Sequence, residues 1–298
     1  MSLLKRSGLR SWVRWGSIIG ALLVALSLGG CSAVRLGYSN APHLAYWWLD
    51  RYFDFDSTQG DRLRAELDAT LDWHRQQELP LLAQQFDRLQ SEAARPVTAA
   101  QLCAVYASLR ERAEAPLWHM APTLAALAPS LQKTQLEHLA REYEKRNREW
   151  RDEWMDGPPT ERLEQRVKQL VERAESFYGT LSETQRNAIT AVIRQSGYDP
   201  AVQYRERLLR QQDTLQTLRG LVSNPPTALR AQAEIQALLE RTLHSPDPAY
   251  RPYRDQQDAA NCAALAALHN SATERQRAKL VDTLRAYADD ARALGNPR

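Results

Sequence analysis

The pattern that most constrains the fold of this chain is a recurring helix-start motif, a Ser, Thr or Asp followed three residues later by Gln. Its four copies are Asp56–Gln59, Thr98–Gln101, Ser182–Gln185 and Thr273–Gln276. In such a capping box the cap side chain and the Gln side chain each accept a hydrogen bond from a backbone N–H of the first helical turn. Apolar residues at helical spacing follow each copy. The motif therefore predicts four helix starts.

The rest of the chain gives the same helical signal. No stretch alternates apolar and polar residues as a strand does, and only 12 of the 298 residues are glycine. We expect an all-α protein, with about ten helices packed as one helical-bundle-like domain over residues 41–298. A sub-boundary, if there is one, would lie near residues 157–159. Proline marks the expected helix ends, near Pro80 for the helix that starts at Asp56 and before Pro116 for the one that starts at Thr98.

The first thirty residues have the features of an export signal. Four basic residues precede a short apolar run, Ser17 to Leu28, which is too brief for a comfortable membrane span. The following Leu28-Gly29-Gly30-Cys31 looks like a bacterial lipobox. We therefore expect residues 1–30 to be a cleaved lipoprotein signal peptide, Cys31 to be the acylated first residue of the mature chain, and residues 31–40 to form a tether. An uncleaved N-terminal anchor is the alternative.

The charge distribution argues against nucleic acid as a partner. The whole chain has a net charge of +3. Residues 1–30 contain four basic and no acidic residues, so the chain from Cys31 onward has a net charge of −1. Proteins that bind nucleic acid need a net basic surface, because they neutralise phosphates. We expect no nucleic-acid partner.

Two cysteines remain after Cys31, namely Cys103 and Cys262. A single pair in an exported protein favours a disulfide, because such compartments are oxidising. Two buried thiols or a reactive or metal-binding pair are the alternatives. A disulfide would join an early helix to a late one and make the chain a single unit.

The densest aromatic stretch follows the tether and contains Tyr46, Trp47, Trp48, Tyr52, Phe53 and Phe55. At helical spacing Leu44, Trp47, Trp48 and Tyr52 share a broad face. We favour a core helix here, because Asp50, Asp54 and Asp56 would face an anionic membrane surface poorly. A helix at the lipid headgroups, where Trp and Tyr are enriched, is the alternative.

This aromatic block and its surroundings carry a resemblance to a known family. The residues concerned are Cys31-Ser-Ala-Val-Arg-Leu-Gly-Tyr38, Ala41-Pro42, Tyr46-Trp47-Trp48-Leu49-Asp50, Phe53-Asp54-Phe55, Trp73-His74-Arg75 and Glu78-Leu79-Pro80. Together they resemble a family of proteobacterial lipoproteins of unknown function. The resemblance implies an all-helical envelope lipoprotein and supplies no catalytic residue or ligand. Ser32 after the acylated cysteine, rather than Asp, implies the outer membrane of a Gram-negative bacterium, with the protein facing the periplasm.

The recurring cap-x-x-Gln copies are also similar to the Leu-Thr-x-x-Gln motif of small helical periplasmic stress chaperones. Capping alone explains the motif, and the copies show no fixed period of the kind that marks a repeat array. A chaperone role is therefore only an alternative.

Two His/Glu pairs are the best candidates for a metal or catalytic site. His74 and Glu78 stand four residues apart, as do His138 and Glu142, so each pair shares a helix face. Two such pairs could meet and bind a metal, as in helical-bundle carboxylate sites. No Glu-x-x-His or His-Glu-x-x-His is present, however, and an exposed His beside Glu is more often a surface pair. We expect no metal and no cofactor.

The most charged segment, residues 141–154, reads as a solvated, self-paired helix face. Its Trp150 and Trp154 are candidates for contact with a partner, as are Trp47 and Trp48, because Trp is enriched at interaction hot spots. No nucleophile motif of the Gly-x-Ser-x-Gly kind and no phosphate-binding glycine loop occurs.

These observations leave two classes of function. The first is a non-enzymatic lipoprotein, attached to the membrane by its lipid, that binds an envelope protein or a lipid or helps to maintain the envelope. The second is an enzyme without a recognised motif, such as a metal-assisted hydrolase using the two His/Glu pairs. We favour the first, because no catalytic motif is found.

Overall fold

A computed structural model describes residues 30–296, so the predicted signal peptide lies outside the described residues apart from Gly30. Within this range the chain is helical and contains no strand, which confirms the predicted all-α class. The helices are α1 (Gly30–Ser39), α2 (Ala41–Phe53), α3 (Ser57–Gln77), α4 (Leu79–Glu92), α5 (Ala99–His119), α6 (Ala121–Leu127), α7 (Lys133–Trp154), α8 (Pro159–Tyr178), α9 (Glu183–Gln195), α10 (Pro200–Ser223), α11 (Ala228–Leu243), α12 (Tyr250–Asn270) and α13 (Glu274–Gly295). A 3-10 turn, Ala128–Ser130, follows α6.

All four predicted capping boxes form, and they start α3, α5, α9 and α13. At α3, for example, the Gln59 N–H donates to the Asp56 carboxylate over 2.9 Å and the Asp56 N–H donates to the Gln59 side chain over 3.2 Å. A further Gln in the same position, Gln135, accepts from the Gln132 N–H at the start of α7. The sequence pattern missed this one, because Gln132 is not a usual cap residue.

Of the two helix ends predicted from proline, one is confirmed and one is wrong. The helix that starts at Asp56 ends at Gln77, near Pro80 as predicted, but Pro80 itself lies in the first turn of a further helix, α4, where its missing N–H costs no hydrogen bond. The whole of α4 was therefore absent from the sequence prediction. Pro116 lies inside α5, which continues to His119.

Two hydrophobic cores organise the packing. The first core is formed by α6, α7, α10 and α11, with aromatic side chains of α2 packed against it, and centres on Leu136, Leu139, Leu218, Leu221 and Ile235. The second core is formed by α4, α8, α9, α12 and α13 and centres on Val171, Ile189, Ile193, Leu280 and Leu284. Between them, α5 has no buried residue of its own and packs chiefly on α12.

The predicted disulfide is present and joins α5 to α12. Cys103 on α5 is bonded to Cys262 on α12, with the two Cα atoms 5.4 Å apart. It therefore joins an early helix to a late one, as the sequence predicts.

The segment expected to be a tether forms α1, which is held against the helical body. Arg35 donates to the buried carboxylate of Asp290 on α13 over 2.8 Å. The Tyr38 hydroxyl lies 2.8 Å from Nδ1 of His74 on α3. The direction in which the chain leaves Cys31 is therefore fixed by two contacts on different helices.

Helix α2 has two faces, and the predicted core face is buried only in part: Tyr52 packs against the first core, whereas the Leu/Trp part of that face does not. Leu44, Trp47 and Trp48 are more than half exposed, at 57%, 59% and 55%. The side chains that pack inward are instead Tyr46 and Leu49, against a cluster around Leu63. Helical periodicity showed an apolar stripe, but the buried side of α2 is set by the neighbouring helix α3.

Candidate functional site

Two adjoining clefts lie along α10, where helices of the first core meet helices of the second. We call them the Arg166 cleft, of about 390 Å³, and the Glu206 cleft, of about 360 Å³. The first is lined by Tyr106, Trp154, Arg166, Gln169, Tyr198, Gln203, Tyr250, Arg254, Gln257, Asp258 and Asn261. The second is lined by Trp48, Tyr52, Phe53, Leu139, Tyr143, Gln203, Glu206, Arg207, Arg210, Gln211 and Tyr250.

The two clefts share Gln203 and Tyr250, which form the partition between them. The Tyr250 hydroxyl donates to the Gln203 side chain over 3.3 Å. Residues of α10 that line the Glu206 cleft recur at three- and four-residue steps, so one face of this helix forms its floor. We refer to the two clefts together as the α10 groove.

Arg166 is the cation of the first cleft that has no carboxylate partner among the described residues. Its guanidinium stacks over the Tyr198 ring at 4.0 Å from the centroid, and its Nη2 donates to Gln257 over 2.9 Å. Its Nη1 is buried and has no hydrogen-bond partner. Burial lowers the pKa of Arg166 and raises that of Tyr198. An arginine in this state gains from the approach of an anion, because charge-assisted hydrogen bonds are the strong ones.

The opposite wall of the Arg166 cleft is fixed by α5 and α12. Arg254 is paired with Asp258 at 3.1 Å and donates to the Tyr106 hydroxyl over 3.5 Å. The Cys103–Cys262 disulfide joins these same two helices one turn away. The covalent link therefore holds Tyr106 in its place on the wall.

Glu206 is buried in the second cleft and forms an ion pair with Arg210, whose side chain is 31% exposed. The Arg210 Nε donates to the Glu206 Oε1 over 2.6 Å, and Glu206 is only 4% exposed. Glu206 Oε2 and Arg210 Nη2 are both buried without a hydrogen-bond partner. Native proteins satisfy the great majority of such atoms, so a molecule that enters the cleft would find an acceptor and a donor free to bind it.

A polar network fixes α10 against α7 beside this pair. Arg207 donates to the Asn147 side-chain oxygen over 2.7 Å, and the Asn147 amide donates to Gln211 over the same distance. Burial raises the pKa of Tyr143, which lines the same cleft. The Glu206 cleft is therefore walled by fixed polar and aromatic side chains.

Of the four tryptophans predicted to contact partners, two line the α10 groove. Trp48 stands at the Glu206 cleft and Trp154 at the Arg166 cleft. Trp150 instead stacks on Tyr204, with ring centroids 5.5 Å apart. Trp47 lies on the exposed face of α2, with the Arg51 guanidinium 6.0 Å from its ring.

The two His/Glu pairs do not come together. His74 contacts Tyr38, and Glu78 is buried and paired with Arg112 at 3.2 Å. His138 contacts the backbone carbonyl of Arg51 over 3.0 Å, and Glu142 lies 3.7 Å from the Arg51 side chain. In residues 30–296 no group of three or more His, Cys, Asp or Glu side chains is placed to hold a metal ion. The four-residue metal site considered from the sequence is therefore not formed.

Sequence reasoning missed most of the groove. Tyr106, Arg166, Glu206 and Tyr250 lie on four different helices and form no local motif. Only Trp48 and Trp154 were recognisable in the sequence as candidate contact residues, because tryptophan is rare and amphipathic. The backbone of Cys31, the predicted lipidation site, lies in α1, and none of the helices in the described range is long and apolar enough to cross a membrane.

Comparison with known proteins places the chain in a family without assigning an activity. The model of a family of unknown function, DUF6279, matches residues 51–245. This match covers α3 to α11 and includes most of the residues that line the Glu206 cleft. No curated protein and no solved structure matches the chain. The chain therefore belongs to the DUF6279 family, whose function is unknown.

Proposed function

We propose that this protein is a lipoprotein of the outer membrane, held by acyl chains on Cys31 and facing the periplasm. The basic, apolar and small-residue order of residues 1–30 supports export, and the Leu-Gly-Gly-Cys sequence supports acylation. The disulfide between Cys103 and Cys262 supports an oxidising compartment. Several acyl chains give stable anchoring, since each buried methylene contributes about 0.8 kcal/mol.

We further propose that the protein acts by binding rather than by catalysis, and that the α10 groove is its binding site. The observation that carries this proposal is the set of buried, unpartnered polar atoms in an aromatic-lined groove: Arg166 Nη1, Glu206 Oε2 and Arg210 Nη2. An anionic group of a ligand would give Arg166 Nη1 and Arg210 Nη2 an acceptor, and a hydroxyl or amine of the same ligand would donate to Glu206 Oε2. An unsatisfied buried polar atom costs about 1 to 3 kcal/mol. Concave, aromatic sites with a few convergent polar groups are typical of ligand binding.

The charge of the groove indicates an anionic ligand. Four arginines and two carboxylates line the two clefts, and both carboxylates already have an arginine partner. Arginine suits carboxylate and phosphate groups, because its planar donors match their geometry. The tyrosines and tryptophans offer flat apolar surface beside these charges. An envelope lipid with an anionic headgroup, or an acidic segment of an envelope protein, has this chemistry.

The groove is tested by native mass spectrometry of the protein purified gently from envelopes. We expect the wild type to carry a bound molecule or protein, and the Arg166→Ala and Trp154→Ala variants to lose it. Leu229→Ala is the matched control, because Leu229 is 81% exposed on α11 and lines neither cleft. Equal retention by all three variants would reject the groove as the binding site.

The anchor is tested separately by metabolic labelling with palmitate. We expect label on the wild type and none on Cys31→Ser, which should also leave the membrane fraction. The substitution changes one residue near the start of α1, so both proteins should show the same helical circular dichroism. A wild type without label would refute the acylation.

A further inference from the structure

The outer face of α2 presents an apolar surface that none of the described residues covers. Leu44, Trp47 and Trp48 stand at three- and four-residue steps and are 57%, 59% and 55% exposed. Leu36, at the end of α1, is 67% exposed. Large apolar side chains grouped in this way on a surface mark a contact with another molecule or a membrane. We call Leu44, Trp47 and Trp48 the α2 face.

The α2 face lies close in the chain to the proposed anchor. Leu36 follows Cys31 by five residues and Leu44 by thirteen. At about 1.5 Å per helical residue, thirteen residues span about 20 Å. The α2 face is therefore within reach of the headgroup layer of a bilayer that holds acyl chains on Cys31.

The connection between anchor and face is rigid enough to set an orientation. Arg35 is bound to Asp290 and Tyr38 to His74, so α1 is held on α13 and α3. On α2 the Tyr46 hydroxyl lies so close to Gly60 of α3 that a Cβ there would be 2.8 Å from it. The face is thus presented by packed helices rather than by a free linker.

The nearby acidic residues do not oppose membrane contact. Asp50 accepts hydrogen bonds from the Tyr46 hydroxyl and the Phe55 N–H, so its carboxylate is engaged within the protein. Asp56 accepts from the Gln59 N–H as the cap of α3. Asp54 is exposed, but it lies beyond the last residue of α2. Arg51 lies beside Trp47, with its guanidinium 6.0 Å from the ring, and is engaged by Glu142 at 3.7 Å.

We propose that the α2 face is a membrane-docking surface that lies in the headgroup layer of the bilayer holding the Cys31 acyl chains. This inference rests on the proposed lipid anchor. Tryptophan favours this layer, because its ring is apolar and its N–H is polar. Trp48 also lines the Glu206 cleft, so docking places that end of the α10 groove at the membrane surface.

The test supplies the anchor chemically, so that it does not depend on acylation in the cell. With Cys103 and Cys262 in a disulfide, Cys31 is the one free thiol of the chain from Cys31 onward, and it can be coupled to a maleimide lipid. The coupled protein is placed on phosphatidylethanolamine and phosphatidylglycerol vesicles whose acyl chains carry bromine, which quenches nearby tryptophan fluorescence. Six tryptophans follow Cys31, and Trp47 and Trp48 are two of them.

We expect quenching of about a third of the tryptophan emission, in line with two of six residues near the bilayer. The Trp47→Phe, Trp48→Phe double variant should lose this quenching, whereas Trp150→Phe, Trp154→Phe should keep it. Absence of quenching in the coupled wild type, or equal quenching in both double variants, would overturn the docking proposal. Failure of palmitate labelling would overturn the anchor alone, because the chemical tether replaces it here.

Discussion

Gln59 and Gln135 hydrogen-bond to each other in both directions, although 76 residues separate them in sequence. The Gln135 amide donates to the Gln59 side-chain oxygen over 2.8 Å, and the Gln59 amide donates back over 3.3 Å. Each amide also reaches a backbone carbonyl, Ser130 for Gln59 and Asp54 for Gln135. Each Gln thus caps its own helix and binds the start of the other.

The same arrangement occurs in the second core. Gln185 and Gln276 exchange hydrogen bonds of 3.0 and 2.9 Å, and their amides donate to the carbonyls of Ser271 and Thr180. All four glutamines of the two pairs are buried. The recurring sequence motif therefore does more than start helices, because three of its glutamines, Gln59, Gln185 and Gln276, together with Gln135 lock distant helix starts together in pairs.

Gln135→Ala is expected to lower the free energy of unfolding by about 2 to 3 kcal/mol, because it leaves the buried Gln59 amide and the Asp54 carbonyl without this partner. Gln101→Ala is the matched control, since Gln101 fills the same position of an exposed capping box. It should cost only about 0.5 to 1 kcal/mol. Urea unfolding of both variants measures the difference, and equal losses would show that the pairing adds nothing to capping.

Breaking the disulfide by Cys103→Ser is expected to lower the free energy of unfolding, by up to about 5 kcal/mol in the chain-entropy model. The reason is the long closed loop, with a sequence separation of 159 residues. Labelling of free thiols in the folded, unreduced wild type should miss both Cys103 and Cys262. Labelling of both would contradict the bond.

Arg35→Ala is expected to destabilise the protein by about 1 to 3 kcal/mol, because it leaves the buried Asp290 carboxylate without its cation. The lower part of this range is favoured by the 44% exposure of the Arg35 side chain. Arg285→Ala is the control, because its ion pair with Asp282 lies on the surface of the same helix α13. A loss for Arg35→Ala no larger than that for the control would mean that α1 is not held through this contact.

Stability is expected to fall as the pH is lowered below about 6.5, the ordinary pKa of histidine. Burial lowers the pKa of His269 and of His74, so the folded state takes up a proton less readily than the unfolded chain. His269 lies between the Tyr178 hydroxyl and the Arg95 carbonyl, at 2.9 Å from each. Because the carbonyl can only accept, the proton of the neutral ring sits on Nε2.

Urea unfolding from about pH 8 to about pH 5 measures this dependence. His269→Gln keeps a donor and an acceptor at the site and removes the titrating ring, so its curve should be flatter than that of the wild type. Identical pH curves for the two proteins would exclude a contribution from His269.

Local signals predicted the helix starts well, because a cap and the residues it bonds lie within one turn. They failed where the outcome depends on distant contacts. Pro80 could equally end one helix or begin the next, and Gln135 follows a residue that is not a usual cap. Trp47 and Trp48 formed an apolar stripe, but which side of α2 is buried depends on α3, which packs against it through Gly60.

The groove could not be predicted for the same reason. Arg166 and Tyr198 are 32 residues apart, and their stacking depends on how α8 meets the loop before α10. The lack of a hydrogen-bond partner for Glu206 Oε2 can be recognised only when the positions of all its neighbours are known. Trp48 and Trp154 could therefore be predicted from the sequence as candidate contact residues. The charged residues between them could be identified only from the packing of the two cores.

The most direct test of the account is the intact mass of the native protein extracted from envelopes in mild detergent. We expect a polypeptide that starts at Cys31, carries acyl chains there and retains a stoichiometric anionic ligand. We also expect the Arg166→Ala variant to keep the acyl chains and lose the ligand. A chain that retains residues 1–30, or one whose ligand is unaffected by Arg166→Ala, would contradict the account.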